Sequence, residues 1–192
     1  MIVNAMFSFL EKIKKGINRT KWIFWKNNLK SVGANSHVDN GFSIIGGKYI
    51  IIGNNFSAGK NLKIHAFAKS DDVIIKLGND VTITDNCYIS AVHCVSIGNG
   101  VLFGENTFIC DNFHGGNTLD EMSVPPNKRK ITYKGAVKIG NNVWIGRNVC
   151  IMPGVQIGNG AIIGANAVVT HNIPEKCIAA GVPAIVIKNK NI

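Results

Sequence analysis

Residues 109–116 read ICDNFHGG, placing an imidazole, His114, three residues after a carboxylate, Asp111, and directly before two glycines. Neutral imidazole, with a reference pKa near ~6.5, suits removal of a proton from a weakly acidic group at neutral pH. His114 is therefore either a general base or an ordinary loop histidine. Asp111 either orients that imidazole or contacts an acceptor, or it caps backbone N–H groups at a corner. His37, His65, His93 and His171 complete the histidines. A zinc site would need three converging ligands, and His65, His93 and His114 lack close paired spacing. The five cysteines are odd in number, have no CxxC spacing and mostly lie in aliphatic strings, as buried free thiols of a reducing, cytoplasmic compartment do.

A six-residue repeat must position these groups. From Ile139 the chain runs IGNNVW IGRNVC IMPGVQ IGNGAI IGANAV VTHNIP. An aliphatic residue opens each unit, and the fifth position is Val, Ala or Ile. The same rhythm begins at Leu77 and Ile97, with a weaker copy at Ile52. Neither a 3.6-residue nor a two-residue period produces it. Six residues make one short strand and a corner, with the first and fifth side chains inward and Gly or Asn tolerating left-handed backbone. Three units close a triangular coil, and stacked coils form an all-β solenoid, a parallel β-helix. A β-sandwich with regular turns is the alternative, and six units in frame speak against it.

Two breaks interrupt the register. Ile89 to Ile97 is eight residues instead of six, in ISAVHCVS. A longer break at 114–137 holds Gly115–Gly116, Pro125–Pro126 and the basic run Lys128, Arg129 and Lys130. A loop of this length in a tight solenoid is functional or disordered.

The chain is 46% hydrophobic but 8% aromatic, so its core is aliphatic, as packed strands prefer. The net charge is +10, and residues 1–30 hold seven Lys/Arg against Glu11 alone. Phe7, Leu10, Ile13 and Ile17 have helical spacing, and WIFW at 22–25 lies between lysines. This segment either caps the exposed end of the solenoid or rests on an anionic membrane surface such as the inner-membrane face, and the two are compatible. No motif supports nucleic-acid binding, and no apolar run reaches the ~18 residues of a membrane span. The expected units are a basic helical or capping segment 1–36, a β-helix domain 37–187 with the loop 114–137, and a basic tail 188–192.

Four stretches carry a resemblance: ICDNFHGG, PPNKRKITYKGAVKIGNNVWIG, PGVQIGNGAIIGANAVVTHNIP and AAGVPAIVIK. From about Ile52 to Ile187 the chain resembles the hexapeptide-repeat acyltransferases. It is most similar to the branch that O-acetylates sugars of bacterial cell-surface polysaccharides such as lipopolysaccharide and capsule. The resemblance implies a left-handed β-helix, whereas the general crossover rule would favour right-handed connections. It implies acetyl-CoA as co-substrate with no metal required, a sugar acceptor, and a homotrimer with active sites between subunits. It implies His114 as the base. Asn112 stands where relatives often have His, and His171 where they commonly have Lys.

The resemblance further places the pantetheine arm near Trp144, Gly146, Ala165 and Ala180, with Lys188 and His171 toward the nucleotide phosphates. Trp144 is alternatively a packing contact between subunits, and Lys188 a solvated terminal charge. Arg129 and Lys128 either bind an acidic or phosphorylated acceptor or solubilise the loop. Three rival functions remain: N-acetylation of a nucleotide-linked amino sugar, a γ-type carbonic anhydrase, and a non-catalytic scaffold.

Overall fold

The computed structural model describes residues 21–116 and 118–189. The helical spacing of Phe7 to Ile17 lies outside them. The hexads become three parallel sheets, of six, eight and six strands, wound as a left-handed β-helix. Each turn of chain adds one strand to each face in order. In one turn these are Ile75–Leu77 on the first face, Thr82–Ile83 on the second and Tyr88–Ala91 on the third. Every first and fifth residue of the six hexads opening at Ile139 is buried. These side chains stack into one continuous aliphatic core that extends back to Leu29 and Trp22.

The fourth residue of each of the first five of these hexads makes the turn. Asn142, Asn148, Gly154, Gly160 and Asn166 have φ of 56°, 57°, 81°, 64° and 62°. This is the left-handed region, which costs an ordinary L-residue about 1–2 kcal/mol and Asn or Gly less. The Asn side chains also join neighbouring coils. At the corner between first and second faces, the Oδ1 atoms of Asn54, Asn79, Asn99 and Asn159 accept the N–H groups of Ala34, Asn54, Asn79 and Asn141 at 2.7–2.8 Å. At the next corner, Asn106 donates to Asn148, and Asn148 to Asn166, each at 2.9 Å.

The solenoid is longer than the expected 37–187. Its first strand is Ser31–Val32, paired with Ile51–Ile52, so the boundary at residue 36 falls inside a coil. At the other end Ala184–Asn189 folds back antiparallel on Cys177–Gly181, which takes Lys188 out of the tail and into a sheet. Residues 21–25 are helical and lead into a 3-10 turn, Lys26–Asn28. Trp22 is buried, its Nε1–H donates to the Ser36 carbonyl at 2.7 Å, and its ring meets Phe42 edge-on. That contact covers the first coil, as the capping reading expects of this residue. Ile23, Phe24 and Trp25 remain exposed. No helix among the described residues is long and apolar enough to cross a membrane.

The corner geometry predicts a graded effect. Asn148→Val places a β-branched residue at φ 57° and removes two ladder bonds, costing about 2–3 kcal/mol. Asn148→Gly keeps the backbone freedom and should cost about 1 kcal/mol. Thermal unfolding should show a fall in Tm of ~4–10 °C for the first and ~2–4 °C for the second. Equal losses would contradict the left-handed requirement.

Candidate functional site

The steps from first to second face and from second to third face are six residues in every coil. All departures fall at the remaining corner, between the third face and the first. Inward residues there run from Ile44 to Ile52, from Ile64 to Leu77, from Ile89 to Ile97, from Ile109 to Ile139 and from Val169 to Ile173, and the Ile151 to Ile157 passage keeps the six-residue step. The two breaks visible in the sequence thus lie one above the other on a single edge.

The longer break is an ordered arm. Asn112–His114 pairs antiparallel with Ile131–Tyr133, in the register Asn112↔Tyr133 and His114↔Ile131. Between them lie a short helix, Leu119–Met122, capped by the Thr118 hydroxyl, and a 3-10 turn, Pro126–Lys128. His114 is exposed on the first strand of this arm, and its ring makes no side-chain hydrogen bond among the described residues. An imidazole so placed is free to meet a ligand.

Asp111 lies at the root of the arm and is wholly buried. Its carboxylate accepts three backbone N–H groups, from Val92 at 2.9 Å, His93 at 2.8 Å and Cys94 at 2.6 Å. The Asn112 amide donates to it at 3.1 Å. Of the two readings of Asp111, this geometry matches the cap on backbone N–H groups at a corner. A buried charge needs such donors, and these oxygens hold the irregular 92–94 corner. Arg129 is engaged within the loop. Its Nε donates to the Val124 carbonyl at 2.7 Å and Nη2 to that of Met122 at 3.3 Å. Its stem crosses Gly115, where a Cβ would stand 2.7 Å from Arg129 Cδ. The guanidinium builds the loop. Lys128 is exposed at the end of the 3-10 turn.

The expected cofactor residues fall into two places. Trp144 is half-exposed on the second face, in register with Leu102 and Ile162. Gly146 and Ala165 stack at the corner between second and third faces, where a Cβ on Gly146 would lie 2.6 Å from the Ala165 nitrogen. Gly164 lies as close to Ala180, and Lys188 pairs with Ile178 at the end of the same face. Trp144, Gly146, Ala165, Ala180 and Lys188 therefore share one side of the solenoid. His171 does not join them. It is exposed after the last third-face strand, bonded through Nδ1 to the Thr170 hydroxyl at 2.8 Å. The His114 arm leaves that same corner, a face width of roughly 17 Å away at ~3.3 Å per residue.

The remaining histidines separate. His65 lies on the third face between the Ser43 and Tyr88 hydroxyls, each at 3.1 Å. Burial, with the Lys63 charge, holds it below the usual histidine pKa. His37 is exposed beside the Ser57 hydroxyl. His93 stacks on Tyr133, ring centroids 4.4 Å apart and planes 10° from parallel. No three His, Cys, Asp or Glu side chains of this chain are grouped to hold a metal among the described residues. His93 and Tyr133 were not among the residues expected at the site. The eight-residue spacing centred on His93 was their sequence signal.

The architecture has known counterparts. The family model for bacterial transferase hexapeptide (six repeats) matches residues 136–171. The chain is 38% identical over 146 residues to the putative lipopolysaccharide biosynthesis O-acetyl transferase WbbJ of Escherichia coli strain K12, covering 74% of this chain and 72% of that relative. Among solved structures, a galactoside acetyltransferase in complex with coenzyme A aligns with a TM-score of 0.55 and 29% identity, over 85% of this chain and 66% of that one. A mutant of AntD, an N-acyltransferase from Bacillus cereus in complex with dTDP-4-amino-4,6-dideoxyglucose and coenzyme A, aligns with a TM-score of 0.66 and 22% identity, over 86% and 87%. With the repeat, the coil and these relatives in agreement, the chain belongs to the hexapeptide-repeat acetyltransferases.

Proposed function

We propose that the protein transfers acetyl from acetyl-CoA to a hydroxyl of a cell-surface polysaccharide sugar or its precursor, with His114 as general base. The observation that carries this reading is the exposed, unpartnered imidazole on an ordered arm at the irregular corner of an acetyltransferase coil. The named function of the WbbJ relative supports the acceptor class. In the reaction the neutral ring takes the hydroxyl proton as the oxygen attacks the thioester carbonyl. The C–S bond breaks, the CoA thiolate leaves, and the imidazolium returns the proton to sulfur. Backbone N–H groups of an adjacent coil serve the transient oxyanion. Trp144, Gly146, Ala165 and Ala180 line the pantetheine side, where the small residues Gly146, Ala165 and Ala180 let a ligand approach the coil beside the Trp144 ring. Lys188 contributes charge to its phosphate end, and His171 is a candidate contact from the other corner. Lys128 remains a candidate for an acidic acceptor.

The separation of His114 from the Trp144 side supports a trimer. One copy's arm then meets a neighbour's cofactor side, completing a site that a single chain leaves in two halves. The outer surfaces agree. The first face presents Lys76, Ser96, Lys138 and Gln156, whereas the third presents Tyr88, Phe108, Cys150 and Val168. The polar face suits water and the apolar one a partner copy. Exposed Ile23, Phe24 and Trp25 beside Lys21, Lys26 and Lys30 further suit a peripheral contact with an anionic membrane.

His114→Ala should lower turnover by about 10²–10⁴ with CoA affinity little changed. An acceptor panel with acetyl-CoA, scored by mass spectrometry, should give O-linked products; N-linked products on a nucleotide amino sugar would select the AntD-like chemistry instead. Asp111→Ala removes a buried carboxylate and orphans three backbone N–H groups, that of Val92 buried, and should cost about 3–5 kcal/mol, read as a Tm fall of ~6–15 °C. An unchanged Tm would return Asp111 to a purely chemical role. Replacing Phe24 and Trp25 together by Ser should weaken co-sedimentation with anionic vesicles while activity on a soluble acceptor persists. Undiminished co-sedimentation would remove the membrane contact.

A further inference from the structure

The two register breaks are joined by a chain of contacts that general base chemistry does not by itself require. Asp111, at the root of the arm, holds the N–H groups of Val92, His93 and Cys94. This fixes a corner two residues longer than the repeat, and His93 projects from it. The ring of His93 lies flat against Tyr133, which belongs to the returning strand of the arm and pairs with Asn112.

Residues two apart on a strand share a face. Asn112 and His114 therefore lie on one face of the arm's ribbon, together with their partners Tyr133 and Ile131. His114 and Tyr133 are diagonal neighbours on that face, within about 7–8 Å backbone to backbone. The coil reaches the same face from the other side. Asn112 Nδ2 donates to Asp111 Oδ1 at 3.1 Å and to the Ser90 hydroxyl at 3.4 Å. The arm's far end is tied internally, through Arg129 and the Thr132 hydroxyl on the Gly115 carbonyl at 3.0 Å. Those bonds shape the arm and leave its angle to the solenoid open. Where the arm meets the coil, the His93–Tyr133 stack joins the Asn112–Ser90 bond.

We propose that His93 is a positioning residue for His114. Its ring and that of Tyr133 form a latch that docks the arm on the 92–94 corner, and Asp111 is the hub that aims the latch. Stacking, and not proton transfer, is the property of His93 that counts. Aromatic pairs contribute beyond simple burial, and a base held loosely loses rate through misplacement more than through chemistry. Asp111 thereby serves the site from a wholly buried position, through the corner it holds.

The latch rests on the assignment of His114 as base only for its effect on rate, so two readouts separate the claims. Hydrogen exchange in the wild-type protein and in His93→Ala should differ in residues 111–116 and 129–135, with faster exchange in the variant, and should agree around residues 144–165. This holds whether or not His114 is the base. In kinetics, His93→Ala and Tyr133→Ala should each lower kcat about tenfold, with KM for acetyl-CoA unchanged. The double variant should be no worse than either single one, as partners in one contact are non-additive. His93→Phe, which keeps a stacking ring, should recover kcat to within about twofold. Unchanged exchange in the arm would overturn the latch outright. Failure of His93→Phe to rescue, or full additivity with Tyr133→Ala, would overturn stacking as its basis. Faster arm exchange with kcat unchanged would refute the link to His114 and point to a different base.

Discussion

The structure depends on a backbone constraint repeated at two of its three corners. A chain that turns every six residues passes through left-handed φ at the fourth, supplied by Asn or Gly in most coils and by Asp80 and Lys176 in two. Asn does more than tolerate the angle. The carboxamides of left-handed Asn148 and Asn166, and of the third-position residues Asn141 and Asn159, bond the adjacent coil, so each turn fixes the register of the turn above it. Aliphatic first and fifth residues then stack without slippage. The core is thin and contains few rings, and such a core holds its shape only because the corners do.

The third corner is released from that rule, and the candidate chemistry gathers there. The chain leaves the coil after Cys110, builds an arm around Arg129, and returns at Val137. A rigid lattice beneath and a shaped arm above give His114 both exposure and a defined place. The cofactor side, by contrast, stays on the regular lattice. There Gly146 and Ala165 leave the surface bare enough for close approach. In the proposed assignment the acetyl carrier meets a flat, repetitive wall, and the acceptor meets the irregular edge.

Much of this was legible in the residues. The hexads from Ile139 gave the coil, its inward positions and its left-handed corners before any coordinates. The first coil was hidden because its inward fifth positions are Ser36 and Phe42 instead of small aliphatics. Ser36 is tolerated since its hydroxyl bonds the carbonyls of Gly33 and Gly53, and Trp22 covers it. ICDNFHGG marked the site, but spacing along a strand cannot say which way a carboxylate turns. Asp111 points back to a corner some twenty residues earlier in the chain, and only the stacking of coils brings that corner alongside. Arg129 posed the same difficulty, for its carbonyl partners belong to the fold of the loop. His93 was visible as the centre of an eight-residue step, a signal of displacement without a signal of purpose.

Confinement of every insertion to one edge has a consequence for how such a protein can change. Residues added at either ladder corner would shift all following side chains off their inward positions. Residues added at the third corner leave the lattice in phase, and the entropic cost of a longer excursion grows only slowly, by about 0.6 kcal/mol per doubling of length. The chain already carries excursions of several sizes there, after Ile64, Ile89 and Ile109. New acceptor specificities can therefore be written along that edge by lengthening or exchanging loops, while the opposite corners keep the same grammar and the same cofactor.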